Sequence, residues 1–239
     1  MANQSKSKKK PQNRKAGNRN SMKPLVGITL AFVAVIVLLV VLTTIKNNNP
    51  TRHELPSLAD QQVLGDDSAP VTVIAFGDYL CPHCYQWDKT VFPKLINDYI
   101  ETGKAKFVFI NTLFHGSQSQ LASLGSELVY EAAPESFWDF HAALFDAQAQ
   151  HEYTTSWVTK ELLMSLAEQH VPGIDLAKFG EDLDKGTALP ALVTDMELVE
   201  KYNITSTPSV MINGILMKNP YDYDEISRRI EKELEASGK

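Results

Sequence analysis

Val71-Thr72-Val73-Ile74-Ala75-Phe76-Gly77-Asp78-Tyr79-Leu80-Cys81-Pro82-His83-Cys84 is the stretch on which the fold turns. Its first half is a short apolar, β-branched run between Ala69-Pro70 and Gly77-Asp78, the pattern of a buried strand. Its second half puts the only two cysteines of the chain two residues apart, where a helix begins. Backbone N–H groups and the positive end of the helix dipole favour thiolate over thiol at such a place. A bridge between Cys81 and Cys84 would close a very short loop and remove little unfolded-chain entropy, so it staples nothing. The pair is suited to being made and broken.

Downstream, the pattern predicts a helix from Cys81 to Ile100, bent at Pro93, which lacks a backbone N–H. Thr102-Gly103-Lys104 ends it, and Lys106 to Thr112 reads as a second strand, giving a right-handed parallel strand–helix–strand unit. From about 117 to 185 the periodicity becomes helical. Leu121, Leu124, Leu128 and Val129 share one face; Phe137, Phe140, His141, Leu144 and Phe145 a second; Leu163, Leu166 and Ala167 a third; Leu176, Phe179 and Leu183 a fourth. Phe137, Trp138 and Phe140 read as core of this helical insertion, with the wall of a peptide groove the alternative place for Trp138.

A further helix over Leu189 to Tyr202 leads to Thr207-Pro208. Ser209–Ile212 and Ile215–Lys218 then flank Asn213-Gly214, a two-residue hairpin signal. The chain closes with a helix that Asn219 or Asp222 can cap and whose apolar stripe is Tyr223, Ile226, Ile230 and Leu234.

Upstream, residues 46–61, with three consecutive asparagines and two prolines, read as a linker, so the folded unit is expected over 62–239. Leu25 to Ile45 gives 21 residues without a charge, about 31 Å as a helix and enough for a hydrocarbon core of about 30 Å. Residues 1–24 form a basic tail with eight Lys or Arg and no acid. That asymmetry predicts an uncleaved single-pass membrane anchor over 25–45, with the tail in the cytoplasm and the folded domain outside the cell. With 239 residues, 44% hydrophobic and 22% charged, the chain suits one domain plus this appended segment. Beyond the tail, 15 basic residues face 29 acidic ones, a formal charge of −14 that argues against nucleic acid as a partner.

Cys-Pro-His-Cys at a helix start after a buried strand, a long helical stretch, and Thr207-Pro208 opening a strand and hairpin together resemble the DsbA family of disulfide oxidoreductases. The resemblance covers roughly residues 62–239 and looks closest to membrane-anchored BdbD-like members of Gram-positive bacteria, through Ala69-Pro70-Val71-Thr72-Val73 and Phe76 to Cys84. It implies an α/β thioredoxin fold with an inserted helical subdomain, here preceded by a transmembrane helix. A lone Cys-x-x-Cys also occurs in zinc sites, but the second cysteine pair or His-x-His spacing is missing, and no metal or bound cofactor is expected beyond the redox-active Cys81–Cys84 disulfide.

The resemblance further implies roles. Cys81 is the exposed attacking thiol, Cys84 the more buried resolving thiol, and His83 a group that stabilises the Cys81 thiolate, while Pro82 fits the first helical turn without losing a hydrogen bond. Thr207-Pro208 matches the cis-proline loop facing the cysteines, where the Thr207 backbone pairs with a substrate chain as an added strand. A Cys81 pKa near 4 would favour the reduced form by roughly 4 kcal/mol at neutral pH, about 90 mV of oxidising power. The expected activity is oxidation of cysteine pairs in exported proteins, by a monomer that a quinone-linked membrane protein of the DsbB or BdbC type reoxidises. An isomerase or reductase of the same fold and a non-catalytic binding module are the rival readings. One departure stands out: the family carries a buried acid six residues before the first cysteine, and this chain has Ala75 there. Asp78 is a substitute or, more simply, a turn residue or helix cap.

Overall fold

The alternation of side chains along β2 (Val71–Gly77), all seven of them buried, splits the interior in two. Val71, Val73 and Ala75 join one apolar cluster; Ile74 and Phe76 join another on the opposite face. The same split recurs on the neighbouring strands. On β3 (Ala105–Asn111), Phe107 and Phe109 face the first cluster while Val108 and Ile110 face the second; on β4 (Ser209–Ile212), Val210 and Ile212 oppose Met211. A two-sided sheet is thus encoded by period-two patterning in strands covered on both faces.

The computed structural model describes residues 22–48, 51–59, 61–151 and 156–238. The expected basic tail lies outside the described residues except at its last few positions. Two units separate, residues 1–50 and 51–239. In the first, helix α1 runs Met22–Asn48, with side chains described for 27–40 and exposed throughout. Among the described residues no helix is long and apolar enough to cross a membrane; the expected anchor at 25–45 extends past the described side chains at both ends.

In the second unit the five-stranded sheet has the order β1-β3-β2-β4-β5, with β1 at Val63–Leu64 and β5 at Ile215–Leu216. β2 pairs in parallel with β3, as the strand–helix–strand reading requires, and antiparallel with β4. Helices α2 (Pro82–Thr90) and α3 (Phe92–Leu95) and a π-turn at Ile96–Ile100 occupy the stretch expected to be one helix. The continuity fails at Val91 because Pro93 cannot donate the backbone bond that would carry α2 onward. The helical insertion consists of α4 (Ser117–Ala132), α5 (Phe137–Gln148), α6 (Lys160–His170) and α7 (Leu176–Lys185). Then follow α8 (Leu189–Lys201) and, after the hairpin, α9 (Tyr223–Ala236), capped by the Asp222 side chain on the Glu225 N–H.

One boundary needs correction. Residues 52–59, read as linker, belong to the folded unit. Arg52 pairs with Glu233 at 2.7 Å and bonds the Asn213 carbonyl, the His53 N–H donates to the Gly214 carbonyl at 2.7 Å, and the Tyr202 hydroxyl donates to the Glu54 carbonyl. Leu55 and Leu58 pack on the second apolar cluster. The turn that receives this segment has positive φ at both Asn213 and Gly214 (43° and 83°), and a Cβ on Gly214 would collide with the His53 carbonyl oxygen.

Away from the cysteines, Glu127 and Asp195 are buried together with Asn111, Gln61 and Gln62. Gln62 donates to Glu127 at 2.8 Å, Asn111 to Glu127 at 2.7 Å and to Asp195 at 3.0 Å, and Gln61 to Asp195 at 3.0 Å. Burial first, and for Glu127 also the neighbouring Asp195 charge, pushes Glu127 up to about 8 and Asp195 to about 6.

Candidate active site

β2 ends at Gly77, and the four residues that follow turn the chain into α2. Gly77 is required there, because a Cβ would run into the Phe109 ring packed beneath it. Asp78, fully buried, closes the turn. Its Oδ1 accepts from the Leu80 N–H at 2.9 Å, and its Oδ2 accepts from the Phe114 and His115 N–H groups, the His115 ring and the Ser119 hydroxyl. The expected turn role is right but incomplete: Asp78 also ties the start of α4 to the cysteine loop.

Cys81 occupies the N-cap of α2 and Pro82 its first helical position, where the missing N–H has no helical partner to lose. Both cysteines are free thiols in this structure. The Cys81 sulfur lies 3.5 Å from the Thr207 carbonyl oxygen, and the Thr207-Pro208 peptide bond is cis. Cys84, one turn along, receives the Asp78 N–H at 3.4 Å and is 3% exposed. Sequence positions 81, 84, 207 and 208 therefore meet at one place, as expected. The exposure expected of Cys81 is not found: it is only 5% exposed, with the Thr207 carbonyl against its sulfur.

The two thiols are strongly unequal. Cys81 is pulled down to about 5, first by a hydrogen bond from the Cys84 side chain and further by Thr207 and the backbone N–H groups of Cys84 and His83, with burial opposing. Cys84 is pushed well above the ordinary thiol range, first by burial and then by its neighbour Cys81. The backbone N–H of His83 is among the groups that hold Cys81 down. Its side chain is exposed, and its carbonyl accepts from the Tyr221 hydroxyl at 2.5 Å.

Residues absent from the sequence reading also meet here. Tyr221, held against His83, is pushed up to about 12 by burial and by the charges of both cysteines. Its position at the start of a C-terminal helix carries no sequence signal for this contact. Asp88 follows Cys84 by four residues, a helical spacing that does place both on one face. His141, read on the second apolar face of the insertion, is buried with its Nδ1 2.8 Å from the Tyr79 hydroxyl. Phe137 and Phe140 are core as expected, whereas Trp138 is partly exposed on the wall of a groove. Among the described residues no group of three or more His, Cys, Asp or Glu side chains could hold a metal ion.

The thioredoxin family model matches residues 57–232. The disulfide bond formation protein D of Bacillus subtilis (strain 168) is 46% identical over 179 residues, 75% of this chain and 79% of that protein. The crystal structure of oxidised BdbD from Bacillus subtilis superposes with a TM-score of 0.73 at 45% identity, covering 78% of this chain and all of that one. At 21% identity, the DsbA of Chlamydia trachomatis shares the fold over 77% of this chain and 96% of its own, with a TM-score of 0.66. With its unequal thiols at the start of α2, the chain belongs to the DsbA-type thiol:disulfide oxidoreductases of the thioredoxin fold.

Proposed function

We propose that this thiol:disulfide oxidoreductase works as a disulfide donor to exported proteins, with Cys81 as the attacked and attacking sulfur and Cys84 as the resolving one. The observation that carries this reading is the split in acidity between the two thiols. With Cys81 near 5 it is a thiolate at neutral pH, about two pKa units below the solution pH, which favours the dithiol form by roughly 3 kcal/mol. That corresponds to about 60 mV of added oxidising power, less than a pKa near 4 would supply but of the same sign. Cys84 stays protonated in the reduced form and leaves this balance unchanged.

In the forward reaction a substrate thiolate attacks Cys81 of the oxidised protein. A Cys81–substrate disulfide forms, the Cys81–Cys84 bond breaks, and Cys84 departs as a thiolate that takes up a proton. A second substrate thiolate then attacks the substrate sulfur of that bond, and Cys81 leaves as a stabilised thiolate. Thr207 borders Cys81, so an extended substrate backbone can pair with it, and Pro208 beside it has no N–H to compete. The two electrons gained by the site pass on to a quinone-linked membrane reoxidase.

The location we propose is the outer face of the cell membrane, with α1 as a single-pass anchor and the tail cytoplasmic. Its support is the uncharged stretch Leu25–Ile45, the cationic residues before it, and the exposed apolar side chains Ile28 to Val40 of α1. The test mixes the oxidised full-length chain with a reduced two-cysteine peptide. The peptide is expected to become disulfide-bonded as Cys81 and Cys84 become reduced, and Cys84→Ala is expected to hold it as a mixed disulfide on Cys81. A peptide left reduced at equilibrium would overturn the donor reading.

A further inference from the structure

We propose that a furrow along α8 docks an aliphatic side chain of the substrate, with an Arg or Lys next to it, at a position near the cysteine that Cys81 oxidises. This role rests on the disulfide-donor reading.

The furrow has a volume of about 490 Å³, within the range of sites that hold small molecules or single side chains. α8 supplies Leu189, Val193 and Met196 to one wall; the ends are Leu113, just past β3, and Asn203-Ile204, just past α8. Leu189 is 37% and Val193 58% exposed, so the wall presents apolar surface to water. Covering it with a partner's methyl groups is favourable. The furrow is separate from the surface beside α2. Val199 and Ile204 of its lining belong to the second apolar cluster, whereas Cys84 and Trp87 of α2 belong to the first, on the other face of the sheet.

Both ends of the furrow lead to the cysteines. Phe114, which follows Leu113, is 41% exposed and donates its N–H to Asp78 in the turn that delivers Cys81. Ile204 stands three residues before Thr207, whose carbonyl is 3.5 Å from the Cys81 sulfur. Three residues span at most about 10 Å. A substrate strand bonded to Cys81 and paired with Thr207 therefore brings the side chain about three positions from its cysteine to the furrow.

The charge of the rim narrows the choice of occupant. Glu197 and Glu200 line the furrow and are exposed, and among the described residues no Lys, Arg or His lines it with them. Lys201, next in the chain, holds its ammonium over the Tyr202 ring at 5.3 Å instead. An adjoining hollow of about 310 Å³ shares Gln120 and Leu189 with the furrow, but its charged residues Asp184 and Lys185 are paired with Lys160 and Glu181. The unpaired negative charge thus sits toward the Ile204 end, where it attracts a cationic neighbour of the docked side chain and repels an acidic one.

The test follows oxidation of two-cysteine peptides by the oxidised full-length chain at subsaturating peptide, which reads kcat/KM. The peptides carry Leu-Arg, Leu-Glu or Ser-Arg about three positions before the reacting cysteine in one set and after it in another. In one of the two sets Leu-Arg is expected to react about tenfold faster than Ser-Arg and about threefold faster than Leu-Glu. The second ratio should shrink toward one at high salt. Val193→Asp is expected to lower the Leu-Arg to Ser-Arg ratio by about threefold. Glu197→Gln combined with Glu200→Gln is expected to bring the Leu-Arg to Leu-Glu ratio to about one. Each ratio is taken within one variant, so it does not depend on how much of that variant is folded. Equal rates for the three peptides in both sets overturn the proposal. So do ratios that the substitutions leave unchanged, which would assign the preference to the net charge of the domain. Peptides all left reduced by the unsubstituted chain overturn the donor reading, and this proposal with it.

Discussion

Replacing Cys84 with Ala should make Cys81 a weaker acid, although the backbone N–H groups of the helix start and the Thr207 carbonyl beside Cys81 stay in place. The Cys84 side chain is the largest of the influences that bring Cys81 down to about 5. A hydrogen bond to a charged acceptor contributes about 1.5 to 3 kcal/mol, and each pKa unit is about 1.4 kcal/mol. Losing that donor should therefore raise Cys81 by roughly one to two units, to between about 6 and 7. At neutral pH the thiolate fraction would fall from nearly complete to between roughly half and nine-tenths. Thiolate absorbance in the ultraviolet, followed against pH, reads this cleanly because the variant retains a single cysteine. Cys84→Ser, which keeps a hydroxyl donor, should stay near the parent value. A Cys84→Ala midpoint still at about 5 would refute the reasoning and assign the acidity to the helix start alone.

His83→Ala should move the same midpoint less than Cys84→Ala does, because the backbone N–H survives; a larger shift would show that the exposed ring governs Cys81. Gly77→Ala should lower stability by about 1 to 3 kcal/mol in thermal unfolding through the collision with Phe109, and an unchanged midpoint would contradict the packing beneath the site. Glu127 and Asp195 have raised folded-state pKa values, so the folded chain holds their protons where the unfolded chain has lost them. Stability to denaturant should accordingly fall as pH rises from about 4.5 through about 8, by several kcal/mol. Glu127→Gln should flatten that slope, and a slope unaltered by the substitution would refute the assignment. Arg52→Ala should cost about 1 kcal/mol, since the pair with Glu233 is half exposed on the arginine side, whereas an unchanged stability would return residues 52–59 to the linker.

The strands, the hairpin and the four helices of the insertion were legible because each carries a plain period: two in the β2 and β3 runs, 3.6 in α4 to α7. The cysteine pair was legible because its spacing is too short to serve architecture. What escaped had no periodic signature. β1 is two residues long, and residues 52–59 dock through single side chains and backbone bonds that a Pro- and charge-bearing segment does not announce. The break after Thr90 was placed near Pro93 but read as a bend, since the sequence does not say whether the helix recovers. Asp88 looks like any solvated helix charge until α5 folds over it. The backbone N–H of His83 that points at Cys81 is invisible in a residue name.

The central claim, that the chain gives disulfides away, is tested most directly by the reduction potential of the Cys81–Cys84 couple in glutathione buffers at neutral pH. Stabilisation of the Cys81 thiolate should place it well above about −270 mV, the value of thioredoxin, and toward the range of about −180 to −120 mV occupied by disulfide donors. A potential at or below about −270 mV would contradict the account and make the protein a reductant.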